Sequence, residues 1–374
     1  MRTRLTLISG LVLAVILATL PLAVPTRAAD LQAALQRLAD DAVREGLVGV
    51  SIAIYTPEAG IVLAAAGVSD KTTRTALTTS DVGRIASCSK VWVGAAVMQL
   101  IGEGTLALDD PIAPFLGADD RDHIANAKTA TVGQLLSHTS GIFDYFNSDD
   151  FGMDDPNKMD FTLAEALRYA WDKPAEFPAG TAYAYSNTNT VLLGVILEKV
   201  TGQPYAQVLR SRIFTPLGLK HTYIEVFEPV PVRIARGYED EGDGLIEIGD
   251  SYQGGGLPDG GIVTTAEDMA LFMKALFVDG TLLDAGLATL MTTPVTEGED
   301  GEQVGYHIFI SQTDHGLRYE HDGSLPGYLA VQMQYPKSGV ILAMWTNSGG
   351  ETAETVFFDD LQAAVIALVH EGAD

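Results

Sequence analysis

The sequence contains one cysteine, Cys88, so the chain can close no disulfide on itself and can build no thiolate metal cluster. Basic residues are scarce. The 23 Lys and Arg stand against 49 Asp and Glu, for a formal net charge of −26. A nucleic-acid-binding face needs clustered cations, and none is visible. Beyond residue 20 no apolar run approaches the roughly 20 residues that span a bilayer. The chain lacks Gly-x-Ser-x-Gly, which argues against an α/β-hydrolase. It also lacks His-Glu-x-x-His, which argues against a zinc peptidase, and no cofactor or metal is expected. There is no internal repeat and no low-complexity linker.

What remains is a chain of 374 residues, 47% hydrophobic and 19% charged, with ample material for a large buried core. Its acidic surplus solubilises the surface, and the excess of Asp with few lysines also fits salty surroundings. Arg2 and Arg4 precede the apolar run Leu11 to Leu20, followed by Pro21, Pro25 and Thr26-Arg27-Ala28-Ala29. This is the layout of a secretory signal peptide over residues 1–28, cleaved after Ala28. The alternative, an uncleaved anchor, has a rather short apolar run. No cysteine nearby could carry a lipid. The mature chain is therefore expected outside the cytoplasm, periplasmic or extracellular, without a stable membrane span.

Asp30 to Glu45 has helical periodicity, and Val48 to Tyr55 and Ile61 to Gly67 read as strands around the turn Pro57-Glu58-Ala59-Gly60. From Ser87 to about Lys220 the signals are mainly helical. Strand signals return at Gly305 to Gln312, Leu317 to Glu320, Tyr328 to Tyr335 and Val340 to Trp345, before a last helix from about Glu351 to His370. The fold class is therefore α+β. One antiparallel sheet is built from both chain ends with flanking helices, and a helical lobe is inserted beside it. In residue terms, a single domain covers 29–374, with the lobe at about 87–259 between sheet segments 30–86 and 260–374. A cleft between lobe and sheet is the natural site.

The segment Ile85-Ala86-Ser87-Cys88-Ser89-Lys90 opens a helix that Val91 to Ile101 make apolar on nearly every side. A lysine there needs a partner. Of nine lysines only Lys90 has a serine three residues before it, which places Ser87 and Lys90 on one helical face. A serine hydroxyl attacks only when a base takes its proton, and burial can lower a lysine pKa enough to make it that base. The helix N-terminus adds N–H groups suited to an oxyanion. The competing reading is a capping serine with a snorkelling lysine.

In Tyr183-Ala184-Tyr185-Ser186-Asn187, Tyr185 can shuttle a proton and Asn187 can hold a substrate amide. Tyr145-Phe146-Asn147 has the same spacing but lies in an acidic stretch, Asp144 to Asp160, that reads as a surface loop. The third element is His321-Asp322-Gly323-Ser324, placed after the strand Leu317 to Glu320. There Gly323 lets a substrate backbone approach, and Ser324 offers an N–H to the oxyanion beside that of Ser87. His370-Glu371-Gly372 reads as a fraying end, and Lys337-Ser338-Gly339 as a hairpin turn. His138 reads as a structural hydrogen-bonding histidine, Cys88 as a packed side chain, and Glu239-Asp240-Glu241 as a solvated loop.

Ser87-x-x-Lys90, Tyr185-x-Asn187 and His321-x-Gly323, in that order, resemble the penicillin-recognising serine hydrolases. The likeness is greatest to class C β-lactamases, D-alanyl-D-alanine carboxypeptidases and related esterases. Leu135 to Ile142 and Gly260 to Asp268 agree, and the resemblance runs from Asp30 to His370. It implies Ser87 as the acylated nucleophile, with Lys90 and Tyr185 sharing the proton traffic. Asn187, His321, Gly323 and Ser324 would line the substrate site. His321 stands where many relatives carry lysine, which disfavours efficient β-lactam hydrolysis because histidine is a weaker fixed cation. The expected partner is a small-molecule or short-peptide substrate. Esterase and D-amino acid amidase activity, and a non-catalytic binding member, are the alternatives.

Overall fold

The computed structural model describes residues 27–149, 151, 161–242, 244–248, 255–299 and 301–371. The expected leader lies outside them except for Arg27 and Ala28, which begin the first helix, Arg27–Glu45.

Nine antiparallel strands form the spine. From edge to edge they run Thr75–Ala76, Gly60–Asp70, Gly49–Thr56, Ile341–Thr346, Tyr328–Gln334, Gly316–Leu325, Phe309–Thr313, Gln303–Val304 and Thr296–Glu297. The two chain ends meet at the middle, where Val50 lies opposite Thr346 and Tyr55 opposite Ile341. The period of two along Gly49–Thr56 divides the interior into two cores. Val50, Ile52 and Ile54 face a layer formed with Leu35 and Ala39 of the first helix and Phe357 and Val365 of the C-terminal helical run. Ala53 faces the other way, into the larger core shared with the helical lobe. This is the α+β arrangement expected.

The helix Ser89–Gly102 threads that larger core. Its residues from Ser89 to Met98 and Leu100 are all buried. Val91, Val93 and Val97 are indifferent helix formers, so tertiary packing rather than propensity holds it. Trp92 stacks on Phe272 with ring centres 3.7 Å apart, and Phe214 meets it edge-on at 5.7 Å. The second long lobe helix, Asn187–Thr201, ends at Gly202, whose φ of +70° is a left-handed C-cap. A small sheet of Gly83–Arg84, Ile262–Thr264 and Tyr223–Ile224 ties the approach to Ser87 to the segment following Asp259.

Several expectations need correction. The strand over Leu317 to Glu320 continues to Leu325, because its pairing with Tyr328–Gln334 runs on to the hairpin at Leu325 and Tyr328. The His321 motif is therefore in the strand, not after it. The stretch from Asp144 is not simply a surface loop. Asp144, Tyr145, Ser148 and Phe151 are buried, the aromatic pair packing edge-on at 5.0 Å. Residues 150 and 152–160 lie outside the described residues. Glu239 and Asp240 belong to a strand, Gly237–Asp240, and the Glu239 carboxylate accepts the Gly327 N–H. His370 is held in the last helix, stacked on His315 at 4.5 Å.

Candidate active site

Ser87 occupies a single 3-10 turn, Ala86–Cys88, that runs straight into Ser89–Gly102. Ala86 has a φ of +47°, unusual for a residue with a Cβ and costing about 1–3 kcal/mol. The surroundings hold it there. Ile85 N–H donates to Ile262 O at 3.2 Å, Ile262 N–H to Ser89 Oγ at 3.2 Å, and Gln332 Nε2 to Cys88 O at 2.8 Å. The Cys88 thiol donates to His321 O at 3.2 Å, so Cys88 is both packed and bonded. The turn is thus pinned from both sides of Ser87.

Lys90 Nζ donates to Ser87 Oγ at 3.0 Å and to the Asp259 carbonyl at 2.8 Å. Lys90 is wholly buried, and desolvation brings its pKa down to about 8, against the pull of the Asp259 and Asp144 carboxylates. The Tyr185 phenol shares a hydrogen bond with Ser87, and the Lys90 ammonium lies 5.0 Å from the Tyr185 ring centre. Burial drives the Tyr185 phenol well above its ordinary value, although the Ser87 hydrogen bond opposes this. Ser87, Lys90 and Tyr185 therefore converge. Tyr145 does not join them; its phenol donates to Asp259 Oδ2 at 2.8 Å.

Asn187 is the first residue of its helix, and its Nδ2 donates to Asp144 Oδ2 at 2.9 Å. Asp144 also accepts the Phe146 N–H at 3.1 Å, and burial raises its carboxyl to about 6. His321 differs from expectation. It is no fixed cation, weak or otherwise: the ring is buried, and desolvation followed by the Lys90 charge lowers its pKa to about 3. Its Nδ1–H donates to Asp322 O at 2.7 Å, and the ring lies 4.8 Å from that of Phe309.

Along this strand His321, Gly323 and Leu325 face inward, while Asp322 and Ser324 are exposed. Gly323 is required by the protein's own packing rather than by a substrate backbone alone. A Cβ there would stand 2.4 Å from Ile85 O and 2.9 Å from Ser87 N. The neighbouring strand Phe309–Thr313 pairs only as far as Glu320, so His321 to Leu325 run on past it. Ser324 thus stands on a strand extension beside the Ser87 backbone.

Four contributors escaped the sequence reading. Asp144 was hidden in an acidic stretch and Asp259 in a glycine-rich turn. His307, whose Nδ1–H donates to Lys90 O at 3.0 Å, carries no motif. Gln332 is the exception, since a polar residue set between Val331 and Met333 in the wholly buried strand Tyr328–Gln334 could have been asked for its buried partner.

The family model described as Beta-lactamase matches residues 31–365. The chain belongs to the beta-lactamase family. Among similar proteins of this family, "Penicillin-binding protein 4" of Amycolatopsis lactamdurans is 32% identical over 311 residues, 79% of each chain. "Esterase EstB" of Burkholderia gladioli is 30% identical, over 71% of this chain and 76% of its own. A solved D-amino acid amidase from Ochrobactrum anthropi SV3 superposes with a TM-score of 0.81 at 29% identity, covering 92% of this chain and 100% of that one. Beta-lactamase-family relatives thus include proteins named for penicillin binding, ester hydrolysis and amide hydrolysis, and the fold alone does not choose among them. Among the described residues no helix is long and apolar enough to cross a membrane.

Proposed function

We propose that the protein is a serine hydrolase working through a covalent acyl-enzyme on Ser87. Its leading donor class is amides of the D-alanyl-D-alanine or β-lactam kind, and it acts outside the cytoplasm after export on its N-terminal leader. The observation that carries this reading is the Ser87 hydroxyl lying 3.0 Å from Lys90 Nζ while also hydrogen-bonded to Tyr185. With a pKa of about 8, about a tenth of Lys90 is neutral at pH 7 and able to take the Ser87 proton. Tyr185 stays a neutral phenol at that pH and is a donor rather than a base. Ser87 Oγ bonds to the acyl carbon, its proton passes to Lys90, and the leaving group is protonated from the Lys90–Tyr185 pair. Water then cleaves the ester by the reverse traffic. The N–H groups of Ser87 and Ser324 receive the oxyanion, and Asn187, steered by Asp144, contacts the acyl side.

One observation favours a second reading of the donor. His321 is neutral and buried, and the neighbouring exposed residue is Asp322. That stretch offers no cation to a substrate carboxylate. D-Amino acid amides and short esters, which carry none, suit it better than penicillins do.

Intact mass after incubation with a penicillin, a D-amino acid amide and a p-nitrophenyl ester tests the mechanism. An adduct on Ser87 that is absent in Ser87→Ala is expected. No adduct with any donor would leave a non-catalytic binding protein. The relative rates rank the donor classes.

A further inference from the structure

His138 grips Tyr185 from three directions. Its carbonyl accepts the Ala184 N–H at 3.1 Å, and its ring Nδ1 accepts the Ser186 N–H at 3.2 Å. Both peptide neighbours of Tyr185 are therefore tethered to one residue. The imidazole also lies nearly parallel to the Tyr185 ring, with centres 4.5 Å apart and planes 22° apart. His138 stacks likewise with His307, at 5.1 Å and 17°, and His307 is bonded to Lys90 O. The backbone of Lys90 and the ring of Tyr185 are joined through two stacked imidazoles.

The geometry has a cost. His138 sits at a φ of +55°, and its buried Nε2 has no hydrogen-bond partner. An orphaned buried donor costs about 1–3 kcal/mol. Since Nδ1 accepts from Ser186, the ring proton lies on Nε2. Burial, and after it the repulsion a second proton would meet from His307 and from the Lys90 ammonium, pushes the imidazole well below its ordinary pKa, so the stack stays neutral beside Lys90.

We propose that His138 is a positioning residue for Tyr185, using its Nδ1 acceptor and its stacked ring to hold the phenol against Ser87. The proposal rests on the reading of Tyr185 as a proton-transferring group. His138→Asn keeps a short acceptor and tolerates a positive φ, but removes the ring. His138→Phe keeps a ring but removes the acceptor.

The test measures kcat and KM for p-nitrophenyl acetate in each variant, in the parent and in a Tyr185→Phe background, with melting temperatures alongside. Either folded variant is expected to lower kcat about tenfold, with KM within about twofold, in the parent background. In the Tyr185→Phe background the same substitution is expected to have little further effect. An equal loss in both backgrounds, an unchanged kcat in the parent, or failure of both variants to fold overturns the proposal. A Tyr185→Phe variant as active as the parent would instead overturn the reading on which the proposal rests.

Discussion

Gly323 and Ser87 lie so close that a single methyl on Gly323 would come within 2.9 Å of the Ser87 backbone nitrogen. The clashing atoms, Ile85 O and Ser87 N, are backbone and cannot swing aside. Gly323→Ala is therefore expected to displace the Ala86–Cys88 turn. The expected loss is about 1–3 kcal/mol of stability, with acylation reduced at least tenfold. Thermal melts and burst kinetics with an activated ester check this. A variant of normal activity would show that the strand can yield.

The pH profile follows from Lys90. In the proposed mechanism its neutral form accepts the Ser87 proton, so kcat/KM is expected to rise with pH and level off above about 8. Asp144 supports the charged form of Lys90, so Asp144→Asn should move this acidic limb to lower pH. Initial rates from pH 5 to 10 on both proteins decide the matter. An unshifted limb would exclude electrostatic coupling between the two residues.

Asp144 also makes a stability prediction. Its folded-state carboxyl titrates near 6, above the ordinary value of 3.8, so the folded protein holds the proton more tightly than the unfolded chain. That contribution is fully present below about pH 4 and is lost as pH rises through about 6. Relative to Asp144→Asn, the parent should lose up to about 3 kcal/mol between pH 4 and 7. Urea midpoints of both proteins at the two pH values measure it, and a constant difference would contradict it.

The two Tyr-x-Asn segments should respond differently. Tyr185→Phe is expected to reduce kcat by a factor on the order of 100 or more. Tyr145→Phe strips a hydrogen bond from the Asp259 carboxylate, whose Oδ1 already has no partner, and should act on stability by about 1–3 kcal/mol. Paired measurements of kcat and melting temperature separate the two roles. A reversed pattern would return the proton-transfer role to Tyr145.

Arg84, three residues before Ser87, forks onto Glu225 at 2.7 and 2.8 Å and reaches the Tyr328 phenol at 2.9 Å. Arg84→Met strands a largely buried carboxylate and is expected to cost on the order of 3 kcal/mol. Adding Glu225→Leu should recover much of that loss. Denaturant titrations of the two variants test it, and failure of the double variant to recover would assign the cost to Tyr328 instead.

How far the chain could be read beforehand depended on how local each signal was. The strands from both ends and the apolar helix after Ser87 follow periods of two and of full burial, so they were legible. Ser87 and Lys90 were legible because one turn of helix fixes their relation. Tyr185 stood in competition with Tyr145, since equal spacing along the chain says nothing about which phenol reaches Ser87. Asp144 and Asp259 were not legible: what makes them matter is burial beside Lys90, a relation across more than 50 residues of chain on one side and 169 on the other. His321 was found, but its charge state was misjudged because burial cannot be seen from the motif.

The pairing of Val50 with Thr346 has a consequence for how the molecule comes into being. Of this sheet, the strands at its middle rather than at its rim are the last to be synthesised. Until residues 316–346 arrive, the hairpin of Gly49–Asp70 has no central partner and the Ser87 turn has no strand to lean on. Sheet closure across almost the whole chain is entropically slow and leaves the apolar Val91 to Ile101 segment without cover meanwhile. The proposed activity should therefore appear late and all at once during refolding, and chains cut short before residue 346 should aggregate rather than fold into a smaller active form.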